Sequence, residues 1–216
     1  MLSLSPGETP RKDAAHASQY ANMWRMADDF WDNWKMILHM CDYAKTWEGV
    51  GGPGHWPDCD MLQIGKLSKR GPVGPERYSR FTEDELYTHM NFWCLYRSPL
   101  MIGGNLPENR PIEEKLFTNS EVLAVNQKGE NPKQVYKKDG SMVWASHVAG
   151  SKDLYVGLFN IGEEIHEVAV DFKSLGLKGK IVVRDLWKQA DIGTYKKQYS
   201  QKLNPHASAL LKLSVK

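Results

Sequence analysis

Ala21-Asn22-Met23-Trp24-Arg25-Met26-Ala27-Asp28-Asp29-Phe30-Trp31-Asp32-Asn33-Trp34 runs an apolar stretch into an acidic loop and then into the start of a helical pattern. Ala21–Arg25 is short and apolar, as a strand buried on both faces should be. Asp28, Asp29 and Asp32 interrupt it. Trp31, Trp34, Leu38, Cys41 and Tyr43 then recur at approximate helical spacing, which predicts a helix whose positive end the aspartates favour. Strand, polar loop and helix make one βα unit.

The same unit recurs on either side. Met1–Ser5 is a short apolar strand stopped by Pro6 and Gly7, and residues 10–20 form a polar helix. Downstream, Gly49–Pro57 is a Gly/Pro loop, Asp60–Ile64 a strand candidate and Ser68–Pro75 another loop. Thr82 and Glu85 form a capping box. The helix they open points Leu86, Met90, Trp93 and Leu95 inward, and Ser98-Pro99 stops it. Pro99–Gly103 is a further apolar strand, and Pro111 opens a last helical region over 111–126. Four short apolar strands, each followed by a loop and a helix, predict parallel βα units. Four such units make half of an eightfold barrel.

After Gln127 the texture changes. Residues 134–136, 142–148, 154–160, 165–171 and 180–187 alternate apolar and polar, with turn signals at Asp139-Gly140, Gly150-Ser151, Gly162 and Gly176, and Ala209–Leu213 is a final strand. This is the pattern of an all-β, sandwich-like domain. The expected organisation is therefore a (β/α)8 half-barrel over 1–128 and an antiparallel β-sandwich over 129–216.

Composition narrows the function classes. No apolar run approaches the roughly 20 residues of a membrane-spanning helix. MLSLSPGETP lacks a charged leader followed by a long apolar core, so it does not read as a signal peptide. The net charge of +2 argues against nucleic acid as the main partner. Residues 1–127 hold 13 basic and 17 acidic side chains, and 128–216 hold 15 and 9. The surplus in the second part is nearly all lysine and reads as a solvated surface. Cys41, Cys59 and Cys94 are odd in number and widely spaced, without a CxxC pair, so neither a disulfide framework nor a structural zinc site is expected. Trp24, Trp31, Trp34, Trp47, Trp56 and Trp93 crowd the first half. Tryptophan faces suit the C–H faces of sugars, and equally suit a packed core.

Parallel barrels carry their active sites at the C-terminal ends of strands. That rule selects Arg25, Asp28 and Asp29 after one strand, and His55, Trp56, Asp58, Asp60 and Met61 near the next. Carboxylates, an arginine and tryptophans at strand ends fit glycoside cleavage, which needs one carboxyl to protonate the leaving oxygen and another to attack or to activate water. Spacing alone leaves Asp28, Asp29 and Asp32 equally readable as helix-capping residues. His55 with Asp58 and Asp60 has no second cluster to complete a metal's coordination, so no metal is expected.

Four motifs together resemble glycoside hydrolase family 27, the α-galactosidase (melibiase) family. Asn22–Trp34, with Trp-Arg, three residues and Asp, is similar to the family's sixth barrel strand and its loop. Gly52–Leu62, reading GPGHWPDCDML from Gly52 onward, resembles the seventh, Ser98–Gly103 the eighth, and Asn119–Gln127 the segment that closes the barrel. The resemblance implies a retaining α-glycosidase whose acid/base is Asp29. It implies that Arg25 binds the hydroxyl beside the reacting carbon and that Asp60, Met61 and Trp56 line the sugar pocket. Asp58 is left in a supporting role. No cofactor is implied. The implied partners are an α-linked glycoside and the N-terminal half of the barrel, because the family's nucleophile lies on the fourth strand and this chain matches from the fifth. A chain without that half is expected to be inactive alone. The family's bacterial members also imply a periplasmic or secreted location.

Where α-galactosidases carry Cys-Glu-Trp, this chain has Ser3-Leu4-Ser5-Pro6-Gly7. The expected substrate is a terminal α-galactoside, with an α-1,6-glucan or an N-acetylgalactosaminide as alternatives. A non-catalytic carbohydrate-binding role, with Trp144 and Trp187 as sugar platforms, and a metal-dependent hydrolase are the competing classes.

Overall fold

The structure, a computed structural model, describes residues 1–69 and 74–216. They fall into two compact units, Met1–Trp93 with Ser98–Thr118, and Cys94–Arg97 with Asn119–Lys216.

In the first unit, β1 (Ser3–Leu4) leads through α1 (Ala14–Tyr20) to β2 (Met23–Arg25), and then through α2 (Trp34–Thr46) to β3 (Trp56–Asp58). The three strands form a parallel sheet in that order, with Ser3 beside Met23 and Met23 beside Trp56. A separate parallel bridge joins Leu62 to Ile102. A small antiparallel pair, β4 (Lys66–Leu67) and β5 (Arg77–Tyr78), follows. The loop expected over 68–75 lies partly outside the described residues. Next come α3 (Glu83–Tyr96) and α4 (Pro111–Thr118).

Three expectations need correction here. The third strand runs over 56–58 rather than 60–64. Gly52 and His55 close a tight turn on each other, so the chain leaves the Gly/Pro segment already extended. Asp60 sits at φ 72°, a left-handed conformation that a strand cannot contain. Pro57 is tolerated because its neighbours make the bonds to β2: Trp56 N–H donates to Asn22 and Asp58 C=O accepts from Met26 N–H. Second, among the described residues Pro99–Gly103 forms no strand and pairs through the single Ile102 bridge to Leu62. Third, α2 is capped by Asn33, whose side chain accepts from Lys35 N–H, and not by an aspartate. Its buried stripe is Ile37, Met40, Cys41 and Ala44. At α3 the capping box is present in both directions: Thr82 N–H donates to Glu85 at 2.8 Å and Glu85 N–H to Thr82 Oγ1 at 3.2 Å. Leu86, Met90, Trp93 and Leu95 are buried.

The helical stretch expected over 111–126 is two helices, α4 and α5 (Ser120–Lys128). Asn119 breaks it and caps α5, accepting from Glu121 and Val122 N–H. The helix α5 groups with the second unit. Its Glu121 takes a two-pronged bond from Arg184, and Asn119 donates to Leu186 C=O.

The second unit continues with β6 (Gly129–Lys138), β7 (Ser141–Val148), β8 (Leu154–Asn160), β9 (His166–Asp171), β10 (Ile181–Asp185), β11 (Ala190–Tyr195), β12 (Gln198–Leu203) and β13 (Ser208–Val215). Six strands form one antiparallel sheet in the order β11-β10-β13-β8-β7-β6, and β12 pairs with β9. Val143, Val156 and Leu158 share one apolar core with Val168, Val170, Leu211 and Leu213. At Asp139-Gly140 both residues have positive φ, the geometry that a two-residue hairpin requires. The polar strands β11 and β12 were not legible as strands in the sequence.

Candidate active site

Parallel pairing places Arg25 and Asp58 side by side at the C-terminal ends of β2 and β3. Each strand then turns. Asp58 Oδ1 accepts from the N–H of Asp60 at 2.9 Å, closing the turn that carries Asp60 into its left-handed conformation. The Asp60 carboxylate is held from three directions. Its Oδ2 receives Phe30 N–H and Arg25 Nη2, each at 2.7 Å, and its Oδ1 receives Met61 N–H at 2.7 Å. Trp93 Nε1–H donates to the Asp60 carbonyl at 2.8 Å. Gln63 Nε2–H donates to Phe30 C=O at 2.8 Å, so the loop between β2 and α2 is tied to the loop after β3 by two bonds.

Arg25 is therefore buried against a fixed anion. The same Nη2 also reaches Asp29 Oδ1 at 3.3 Å. The two aspartates differ sharply: the Asp60 side chain is 6% exposed and that of Asp29 is 79% exposed. One is built into the structure and the other projects from it. Burial pushes the Asp60 carboxyl above its ordinary range against the opposing bonds from Phe30, Met61 and Arg25. Burial likewise pushes Asp58 up to about 6, with the Asp60 charge adding to it and the Asp60 N–H, Arg25 and Ser98 resisting it.

The structure thus brings Arg25, Asp29, Asp58 and Asp60 together. Met61 is beside them and 41% exposed. Trp56 is not with them: it opens β3, at the opposite end of the strand from Asp58, beside Met23. Asp32, expected to cap or charge a helix start, is buried, accepting from Arg77 Nη2 at 2.6 Å and Arg80 N–H at 2.9 Å. Gln63, Phe30 and Trp93 are supports that the sequence did not single out. Two of these three bonds involve backbone groups of Phe30, which no side-chain pattern reports. The three cysteines are buried and unbridged. Among the described residues no group of three or more His, Cys, Asp or Glu side chains is arranged to hold a metal ion.

The family model for α-galactosidase A matches residues 4–128, and that for the α-galactosidase C-terminal β-sandwich domain matches 138–213. The chain belongs to glycoside hydrolase family 27. Its fold is accordingly the second half of that family's (β/α)8 barrel followed by the β-sandwich. α-Galactosidase 2 of Arabidopsis thaliana is 32% identical over 205 residues, covering 93% of this chain and 48% of the relative. A family 27 β-L-arabinopyranosidase from Geobacillus stearothermophilus superposes with a TM-score of 0.95 at 44% identity, over 99% of this chain and 49% of its own. A Bacillus halodurans C-125 protein described as an α-N-acetylgalactosaminidase superposes with a TM-score of 0.81 at 34% identity, over 88% of this chain and 45% of its own. The chain thus spans about half the length of these family 27 proteins.

Proposed function

We propose that this chain supplies the acid/base half of a retaining exo-glycosidase acting on a terminal sugar of galacto configuration. The observation that carries the reading is Arg25, fixed at a strand end by buried Asp60 and reaching the exposed carboxyl of Asp29. A general acid must meet its substrate, and Asp29 is the only member of this group that projects. In the first step the Asp29 carboxyl donates its proton to the glycosidic oxygen as a second carboxylate attacks the anomeric carbon. In the second step Asp29 takes a proton from the water that attacks the glycosyl-enzyme. Retention requires the two carboxyls about 5–5.5 Å apart. The second comes from the barrel half that the relatives carry in the rest of their length, so the proposed active species is this chain together with that half. Arg25 and Met61 meet the sugar, Asp60 orients Arg25, and Asp58 sets the turn that places Asp60.

Two sugars compete for the pocket. The curated relatives are α-galactosidases, whereas the structure at 44% identity is a β-L-arabinopyranosidase. β-L-Arabinopyranose has the ring configuration of α-D-galactopyranose without its hydroxymethyl group, so one acid/base arrangement serves both. Kinetics on aryl glycosides of the two sugars, with the anomer of the first product read by NMR, tests the reading. Turnover with retention of either sugar is expected. Inversion, or turnover of neither, would overturn it.

A further inference from the structure

Beside the catalytic group lies an open cleft of about 600 Å³. Three successive loops build it. The loop after β2 contributes Trp31, two residues beyond Asp29. The segment after β3 contributes Met61, Gln63, Lys66 and Lys69. The segment after the Ile102 bridge contributes Gly103, Gly104 and Asn105. All three lie on the face that carries active sites in parallel barrels. Packing requires glycine at Gly104, where a Cβ would lie 2.1 Å from the Ile64 carbonyl oxygen, and leaves little space at Gly103, where one would lie 3.1 Å from that of Leu62. This wall is therefore bare backbone next to the partly exposed ring of Trp31.

Among the described residues the charged groups of the cleft are paired. Lys66 pairs with Glu76 at 2.8 Å, Lys69 pairs with Glu108, and Asn105 Nδ2–H donates to Glu108 at 2.6 Å. A ligand that brought its own charge would have to break these pairs. A neutral ligand rich in hydroxyls would add hydrogen bonds to them. Gln63 spends its amide N–H on Phe30 C=O, which turns its carbonyl oxygen toward Gly103 as an acceptor in the cleft wall. A flat indole face, a bare wall and neutralised polar groups suit pyranose rings.

We infer that this cleft is the leaving-group side of the active site, with Trp31 as the stacking platform for the sugar that departs from Asp29. The inference rests on Asp29 being the acid/base. The sugar released by the chemistry stays on Trp31 until it dissociates. Trp31 touches none of the reacting atoms. It is a specificity residue.

The test compares Trp31→Ala, Trp31→Phe and the parent, each in the active species with the barrel half. The two substrates share one terminal sugar, one bearing fluoride as its leaving group, which has no ring to stack, and the other a neutral trisaccharide. For Trp31→Ala, kcat/KM on the oligosaccharide should fall at least tenfold while that on the glycosyl fluoride stays within twofold. Trp31→Phe, which keeps a ring, should recover at least a third of the loss on a logarithmic scale. Equal loss on both substrates, or none on either, would overturn the inference. Were the Ala variant to fail to fold, Trp31→Leu, which keeps bulk and removes the ring, takes its place under the same criteria. Failure of the parent to turn over either substrate would instead count against the catalytic reading itself.

Discussion

Replacing His89 with phenylalanine should stabilise the protein, and should do so increasingly as the pH falls. His89 lies on α3 with no exposed surface, its ring 4.9 Å from Phe30, 5.5 Å from Phe81 and 4.1 Å from Trp93. Among the described residues neither ring nitrogen has a hydrogen-bond partner. Burial pushes its pKa down to about 3. At neutral pH, removing two unpaired buried nitrogens should gain about 1–2 kcal/mol. The pH dependence adds to this. The unfolded histidine takes up a proton near pH 6.5, and the folded one cannot until about pH 3. Stability from the neutral ring is therefore complete above about 6.5 and lost as pH falls toward 3. Each unit is about 1.36 kcal/mol, so at about pH 4.5 the loss reaches roughly 2.7 kcal/mol. Asp58 acts with the opposite sign. Its folded pKa near 6 exceeds the unfolded value, so its protonation restores stability as pH falls through 6 toward 3.8. The parent's profile should be nearly flat between about 6 and 4.5, because the two slopes oppose one another. Urea unfolding followed by tryptophan emission, at about pH 7 and about pH 4.5, isolates the histidine by difference. The gap between variant and parent should widen by roughly 2–3 kcal/mol. A gap that stays constant across that range would refute the reasoning.

Asp29→Ala should lower kcat by about 10²–10⁴ on a substrate with a poor leaving group and far less on a nitrophenyl glycoside, which steady-state kinetics would show. Asp60→Ala leaves the Arg25 guanidinium buried beside an exposed partner only. It should cost about 3–5 kcal/mol in urea titration and weaken substrate binding together with it. Asp58→Asn keeps an acceptor for the Asp60 N–H but removes a carboxyl that titrates near 6. The contribution that offsets His89 on acidification should then be lost, so the nearly flat profile should become the His89 decline. Thr82→Ala removes one arm of the α3 capping box and should cost about 1 kcal/mol without changing KM.

What the sequence disclosed follows from the kinds of interaction involved. The order of strands and helices was legible because burial imposes it locally: Met23-Trp24-Arg25 can only be an apolar strand between two loops, and Thr82 with Glu85 announces a helix start within four residues. Asp29 was legible as a member of a family motif and not otherwise, since three aspartates at one helix start are locally equivalent. Their separation is a tertiary event. Asp32 meets Arg77, far along the chain, and is buried by it. Asp28 stays outside, in the notch that Gly7 leaves by lacking a Cβ. Asp29 alone is left within reach of Arg25 and open to solvent. The strand at 56–58 escaped for a similar reason. Its proline and the glycines before it are loop residues by local preference, and only pairing with β2 on one edge makes Pro57 harmless.

The same distinction explains why Trp56 and Trp31 exchange places. Both are partly exposed, and both stand within a few residues of an aspartate at a strand end. Read along the chain, Trp56 is the nearer to Asp58 and Asp60, within the same motif. In three dimensions the strand direction decides. Trp56 enters β3 at its beginning, so two residues of extended chain carry it away from the catalytic face, by roughly 6–7 Å. Trp31 follows Asp29 out of β2, after the strand has ended, and stays on the face where the carboxyl projects. Strand direction thus separates the two: Trp56 lies at the start of β3, away from Asp58, and Trp31 lies in the cleft lining beyond Asp29. Swapping the tests makes this concrete: Trp56→Phe should alter unfolding by urea and leave selectivity between glycosyl fluoride and oligosaccharide substrates unchanged, the reverse of the outcome expected at Trp31.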